Sequence, residues 1–353
     1  MKKFEENIRK VTPYVPGEQP SGSDIIKLNT NESPFAPSTM VQMAIASMMP
    51  DALRKYPDPD ASDLVREIAS YYDVDESKVF VGVGSDDILG MAFLTFFNSD
   101  KPILFPDITY SFYDVWADLY DIKYETIPLT EEFEINPEDY KKENGGIVFA
   151  NPNAPTGIAL SKSQVEEIIA ANPDSVVIVD EAYIDFGGET VLDLIDKYEN
   201  LLVVRTFSKS RALAGMRVGY AFGSETLIKA LKDVKFSYNS YTLNVAAIRG
   251  AKAAIKDDEY FVGLVDEIKK TREETKMKLK QMGFDCTNSQ ANFLFAKHEK
   301  MAAKDIFEKL RDRSIYVRYF DKPRIDEYIR ITIGTKEQMN ALVMALEDII
   351  KNH

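Results

Sequence analysis

Two segments place chemically useful side chains just past apolar runs. In SVVIVDEAYIDF, Asp180 follows a β-branched run; in LLVVRTFSKSRALAGMRVGY, Lys209 follows another, beside Thr206 and Ser208. A carboxylate at the carboxyl end of a buried strand loses water and needs a cation or hydrogen-bond donors. A lysine desolvated in such a place has a lowered pKa, and its amine becomes a nucleophile toward carbonyls. Taken singly, each has an ordinary reading: Asp180 as a helix cap or loop acid, Lys209 as a surface lysine. The flanks of Lys209 weaken that reading, because they form the spaced pattern S-K-x-x-x-L-A-G-x-R-x-G, ending in Arg217 and Gly219.

Three further segments carry weaker signals. VFVGVGSDDILGMAF reads as strand, glycine turn and helix, with Ser85 as N-cap and Asp86 and Asp87 in the first turn. Capping alone accounts for it, although helix N-termini also favour anions. Tyr110 lies soon after a strand in PDITYSFYDVW, where an aromatic ring usually just packs. ANPNAPTG is a turn by composition, and Pro155 is a candidate cis proline.

In this order the segments resemble the fold-type I pyridoxal 5′-phosphate (PLP) aminotransferases. The resemblance implies that Lys209 forms the internal Schiff base with PLP and afterwards moves the proton at the substrate carbon. It implies that Arg217, Ser208 and Thr206 hold the PLP phosphate, as a dianion needs a guanidinium and hydroxyl donors. Asp180 would pair with the pyridine nitrogen, keeping the ring an electron sink, and Tyr183 would bond its phenolic oxygen. The phosphate would also rest on the backbone amides of Gly84, Ser85 and Asp86, with the aspartate carboxylates turned away. Tyr110 would stack on the ring. The family's N-P-x-N-P-T-G asparagine is replaced here by Ala154, which leaves Asn153 as the amide to take its place.

Substrate choice rests on the ends of the chain. Tyr14-Val15-Pro16-Gly17, IKLNTNESPFAPS and RKYPDPDASDLVREIA are ordinary Pro/Asn turns one by one. As an ordered set, with L-N-x-N-E-x-P before Y-P-D-P, they resemble the histidinol-phosphate aminotransferase branch. That resemblance implies a homodimer with shared active sites, in which Tyr56 reaches the partner subunit's PLP phosphate. It places Asn31 and Glu32 at the substrate mouth, with Glu32 facing the imidazole. In IYVRYF and YIRITIGT, Arg318 and Arg330 would bind the phosphate of L-histidinol phosphate and, in the other half-reaction, the carboxylate of L-glutamate or 2-oxoglutarate. Asn292, in SQANFLFA, would lie in the substrate region. Rival readings are an aromatic amino-acid aminotransferase, a threonine-phosphate decarboxylase-like lyase and a non-catalytic PLP-binding protein.

These residues need a scaffold. Continuous apolar runs at 78–83, 102–105, 146–150, 175–179, 201–206 and 218–222 read as strands covered on both faces. Amphipathic stretches at 85–97 and 161–171 lie between them. Alternating strands and helices predict an α/β fold: a large domain with a mostly parallel central sheet flanked by helices. After about residue 240 the texture changes to a long charged helix at 258–282, short strands at 292–296, 315–319 and 328–333, and a helix at 336–349. That is a smaller α+β C-terminal domain. The expected division is an N-terminal arm over 1–45 with little periodicity, a PLP-binding domain over 46–245 and a small domain over 246–353.

Composition narrows the classes. The net charge of −14 argues against nucleic-acid or anionic-membrane binding, though not against a small basic pocket. One cysteine, Cys286, excludes an intrachain disulfide, and with only His298 and His353 beside it no Cys/His metal site is expected. The start, MKKFEENIRK, is charged and no apolar run is long enough to span a bilayer, so the expectation is a cytoplasmic protein.

Overall fold

The buried runs assemble into one seven-stranded sheet. The computed structural model describes residues 3–22 and 24–352; Met1, Lys2, Ser23 and His353 lie outside the described residues. The strands in chain order are β1 (Ile26–Lys27), β2 (Val79–Gly82), β3 (Ile103–Pro106), β4 (Tyr124–Ile127), β5 (Ile147–Ala150), β6 (Val177–Asp180), β7 (Leu201–Thr206) and β8 (Gly219–Gly223). They continue as β9 (Phe284–Cys286), β10 (Phe293–His298), β11 (Ile315–Tyr316), β12 (Arg318–Tyr319) and β13 (Ile329–Thr332). The large sheet has the order β2-β8-β7-β6-β5-β3-β4, and β8 runs against both its neighbours while the pairs from β7 to β4 are parallel.

Pleating sends alternate side chains to opposite faces, which is why the inner strands are largely apolar. Val177, Val179, Leu201 and Val203 enter one core, and Ile178, Leu202 and Val204 enter the other. Helices cover both faces. The helix Ser85–Phe96 follows β2, and Lys162–Ala171 starts at Ser161 with a capping box closed by Gln164.

A third core lies around the antiparallel sheet β12-β13-β10-β9, with the helices Asp258–Gln281 and Lys336–Lys351 against it. The chain does not pass to this body at 245. The helix Val245–Lys256 puts Ala247, Ala251, Ala254 and Ile255 into the large core. The N-terminal arm is also more ordered than its sequence suggests. β1 pairs with β11, Leu28 joins the smaller core, and Thr39–Ala46 is a helix capped by Ser38. The stretch expected as one strand at 315–319 is split into β11 and β12 at Val317. Among the described residues, no helix is long and apolar enough to cross a membrane.

The reversed strand brings a cation to the ends of the others. The loop before β8 carries Arg217 to the edge where β2, β6 and β7 end, because Gly219 pairs with both Gly82 and Thr206. That approach needs glycine: a Cβ on Gly219 would lie 2.4 Å from the backbone of Gly84 and Ser85. Gly219→Ala is therefore expected to cost about 2 kcal/mol or more of unfolding free energy, read by urea denaturation. An unchanged midpoint would show that the turn is not closely packed against β8.

Candidate active site

At the carboxyl ends of the parallel strands lies a cavity of about 340 Å³, bordered by Ser85, Asp86, Tyr110, Ala154, Asp180, Tyr183, Thr206, Ser208, Lys209 and Arg217. Ligands of open α/β sheets bind at such an edge. It adjoins a larger cavity of about 620 Å³, whose border includes Tyr14, Asn31, Tyr110, Tyr183, Lys209, Arg318 and Arg330. Tyr110, Tyr183, Lys209 and Arg217 border both.

The inner cavity is chemically ordered. Asp180, the last residue of β6, is 4% exposed. Its Oδ2 accepts from the Tyr113 hydroxyl at 3.3 Å and its Oδ1 from the Ala182 amide at 3.1 Å. Burial pushes its carboxyl up to about 7; the Ala182 amide opposes this and the Asp86 charge adds to it. Among the described residues no lysine or arginine forms an ion pair with Asp180, and Arg205 on the neighbouring strand is committed to buried Glu181 at 2.7 Å. Asp180 thus lacks a cation and can take one from a ligand. Lys209 Nζ donates to the Thr30 carbonyl at 3.2 Å and lies 5.8 Å from the Tyr183 ring centre. The Tyr183 hydroxyl accepts from Asn31 Nδ2 at 2.9 Å.

At the far wall, Arg217 Nη1 lies 3.5 Å from Ser208 Oγ and 3.2 Å from the Ala214 carbonyl. Its backbone is left-handed, with φ of 53°, an uncommon state for a residue of this size. Opposite, Gly84 has φ of 86°, and a Cβ there would lie 2.6 Å from Arg217 Nη2. Guanidinium, hydroxyls and the start of the helix Ser85–Phe96 form a cradle for a phosphate. A buried unpaired carboxylate, a lysine amine and this cradle fit one ligand type: a phosphorylated aromatic nitrogen base with a carbonyl.

The outer cavity has a different character. Arg318 and Arg330 sit opposite each other on β12 and β13, and neither forms an ion pair with any described residue. Arg330 donates from Nη2 to the Asn29 carbonyl at 3.0 Å, and its buried Nε has no partner. Burial lowers its pKa; Tyr183 opposes that shift and Arg318 adds to it. Two neighbouring guanidiniums without an acid call for an anion. Glu32 borders the inner cavity, held by Lys27 and, at 2.8 Å, by Thr30 Oγ1. Burial pushes its carboxyl up, but the bonds from Lys27 and Thr30 outweigh that and hold it below the usual range.

Four sequence expectations fare differently. Asn153 does not border the inner cavity. Its Oδ1 accepts from Thr109 at 2.8 Å and its Nδ2 donates to the Ile108 carbonyl at 2.9 Å, so its amide is turned into the turn, and Ala154 takes the border position. Asp86 does not turn away: its carboxylate meets Arg217 and Tyr110, while Asp87 turns back to the Val83 amide at 3.0 Å. Asn292 is fully buried and donates to the Asn31 carbonyl at 3.0 Å, holding that loop rather than bordering either cavity. Tyr56 stands apart, 81% exposed and stacked on Tyr241 at 4.6 Å. The Ala154–Pro155 bond is cis, and so is Asn151–Pro152.

Sequence reasoning passed over Tyr113, Thr30 and Thr332. Tyr113 holds Asp180, Thr30 holds Lys209, and Thr332 Oγ1 bonds Asn31 Oδ1 at 3.0 Å. The aromatic density of TYSFYDVW was the one available sign of the first.

The raised Asp180 carboxyl has a stability consequence. Its native value, about 7, exceeds the ordinary 3.8, so the stability tied to its proton is fully present below about pH 4 and lost as pH rises through 7. Cofactor-free Asp180→Asn protein should therefore be more stable than the parent at pH 8, with the gap narrowing toward pH 4. Equal melting temperatures across that range would show that Asp180 is not desolvated.

Comparison with known proteins agrees with this geometry. The model of the family described as aminotransferase class I and II matches residues 23–346. The chain is 55% identical over 344 residues to histidinol-phosphate aminotransferase 1 of Hydrogenovibrio crunogenus, covering 98% of this chain and 97% of that one. It is 49% identical over 352 residues to the histidinol-phosphate aminotransferase of Clostridium beijerinckii, covering 100% and 98%. The crystal structure of histidinol-phosphate aminotransferase from Sinorhizobium meliloti, in complex with pyridoxal-5′-phosphate, shares the fold with a TM-score of 0.86 at 24% identity, covering 93% and 91%. The resemblance carried by Asp180, Lys209 and Arg217 therefore extends over nearly the whole length, and the chain belongs to the class I and II aminotransferases.

Proposed function

We propose that this chain is a PLP-dependent histidinol-phosphate aminotransferase, moving an amino group between L-histidinol phosphate and 2-oxoglutarate to give imidazole acetol phosphate and L-glutamate. The observation that carries this reading is the pair Arg318 and Arg330, which has no acid and borders a cavity shared with Lys209. Both partners of the reaction bring an anion to that place: a phosphate on one, a carboxylate on the other. The names of relatives at about half identity over full length support the substrate.

When bound, PLP supplies an electron-withdrawing ring and a carbonyl carbon open to amines. The chain supplies the rest. Asp180 offers its charge to the ring nitrogen, and in turn gains the cation that its burial demands. Arg217, Ser208, Thr206 and the amides of Gly84, Ser85 and Asp86 hold the phosphate. Tyr110 presents its ring to the cofactor, and Tyr183 its hydroxyl to the phenolic oxygen. Lys209 Nζ would take the proton from the amine-bearing carbon of the substrate and pass it to the cofactor's former carbonyl carbon, which leaves the amino group with the cofactor. Arg330 and Arg318 fix the substrate's anion, which sets the orientation of that carbon. Glu32, ionised beside Lys27, faces the imidazole. Exposed Tyr56 serves the partner of a homodimer, and the enzyme works in the cytoplasm on small molecules.

Purified protein should be yellow. Lys209→Ala should retain only non-covalently bound PLP and lose turnover by roughly 10⁴-fold or more; a colourless parent that cannot be reconstituted with PLP would overturn the reading. Arg330→Ala should lower kcat/KM for histidinol phosphate and for 2-oxoglutarate by roughly 10²-fold each. An effect on neither would remove the shared anion site. Turnover of phenylalanine or threonine phosphate above that of histidinol phosphate would favour the aromatic aminotransferase or the lyase instead.

A further inference from the structure

Three guanidiniums border the two cavities, and only one of them faces an acid. Arg217 Nη2 lies 3.2 Å from Asp86 Oδ2, whereas Arg318 and Arg330 have no carboxylate partner among the described residues. The Asp86 carboxylate is held at both oxygens, since Oδ1 accepts from the Tyr110 hydroxyl at 2.7 Å. Its neighbour Asp87 carries the same charge but bonds the Val83 amide, out of the cradle. One of the two acids that open the helix thus closes a turn, and the other sits among the residues assigned to a phosphate.

We infer that Asp86 is a built-in competitor for Arg217, which reserves the inner cradle for the cofactor's phosphate and leaves the anions of the reactants to the outer cavity. The inference rests on the proposed aminotransferase function. An anion that meets only Arg217 must displace a carboxylate already bonded there, so it gains little. A phosphate that also takes Ser208, Thr206 and the helix amides gains several bonds for the one lost. Displacement is not prohibitive. The pair is 45% and 42% exposed, a setting in which an ion pair shifts an equilibrium only a few-fold. Once Oδ2 gives up Arg217, Oδ1 keeps Tyr110, so Asp86 retains a donor. At Arg318 and Arg330 no acid competes, and any phosphate or carboxylate is attracted without this handicap. The arrangement matters for an enzyme whose substrate, like its cofactor, carries a phosphate.

The test uses the full chain freed of cofactor, as parent, Asp86→Asn and Asp86→Ser. PLP uptake is followed by absorbance while inorganic phosphate competes. Loss of the carboxylate should lower the inhibition constant of inorganic phosphate a few-fold and leave PLP bound at least as tightly as in the parent. Unchanged competition in both variants overturns the inference alone. Weaker PLP uptake by both variants also overturns it, because Asp86 would then be positioning Arg217 rather than competing for it. Failure of the parent itself to take up PLP overturns the functional reading and this inference with it.

Discussion

One buried carboxylate organises this molecule. Asp180 ends a fully buried strand with a phenol and a single amide for support, and among the described residues it has no ion-pair partner, Arg205 on the next strand being spent on Glu181. Such a charge is tolerable only if something cationic arrives or a proton stays on. The sheet is built to bring the other parties to that point. Parallel strands deliver Tyr110, Asp180 and Lys209 from their carboxyl ends, and the reversed β8 returns Arg217 to the same edge. The close approach of Gly219 to Gly84 and Ser85 then sets the distance between the cradle and the acid.

The two cavities divide the charges. A chain with a net charge of −14 offers anions no general attraction, so each must be caught by a local exception. Lys209 and Arg217 border both cavities, whereas Arg318 and Arg330, facing each other across two strands of the smaller sheet, border the outer one only. The second pair belongs to a different core from the first. On the proposed function, substrate binding would draw on both bodies, and the arm joins them: β1 pairs with β11, and Asn29 and Asn31 bond Arg330 and Tyr183.

What was legible in the sequence depends on burial. Strands covered on both faces announce themselves, and β7 was read to the residue because Leu201–Thr206 is buried throughout. β4 was not, since Tyr124–Ile127 is an edge strand with its first three residues exposed and reads as polar chain. The helix Thr39–Ala46 was hidden by the proline-rich segment before it, although Ser38 is a proper cap. Residues fixed by spacing within one segment, such as Lys209 and Arg217, were legible, and both border the cavity. Those whose role depends on a partner far along the chain were not legible. Tyr113 meets Asp180 across 67 positions, and Asn153 is held by Thr109 and Ile108 from another loop. The direction of Asp86 was misjudged for the same reason, because Tyr110 and Arg217, from two other loops, decide it.

The central claim is that Asp180 keeps its charge by pairing with a cation on the ligand. The most direct measurement is ¹⁵N NMR of the full enzyme loaded with ring-¹⁵N-labelled PLP at pH 8. A protonated ring nitrogen in the parent, lost in Asp180→Asn, is the predicted result. An unprotonated nitrogen in the parent would contradict the account.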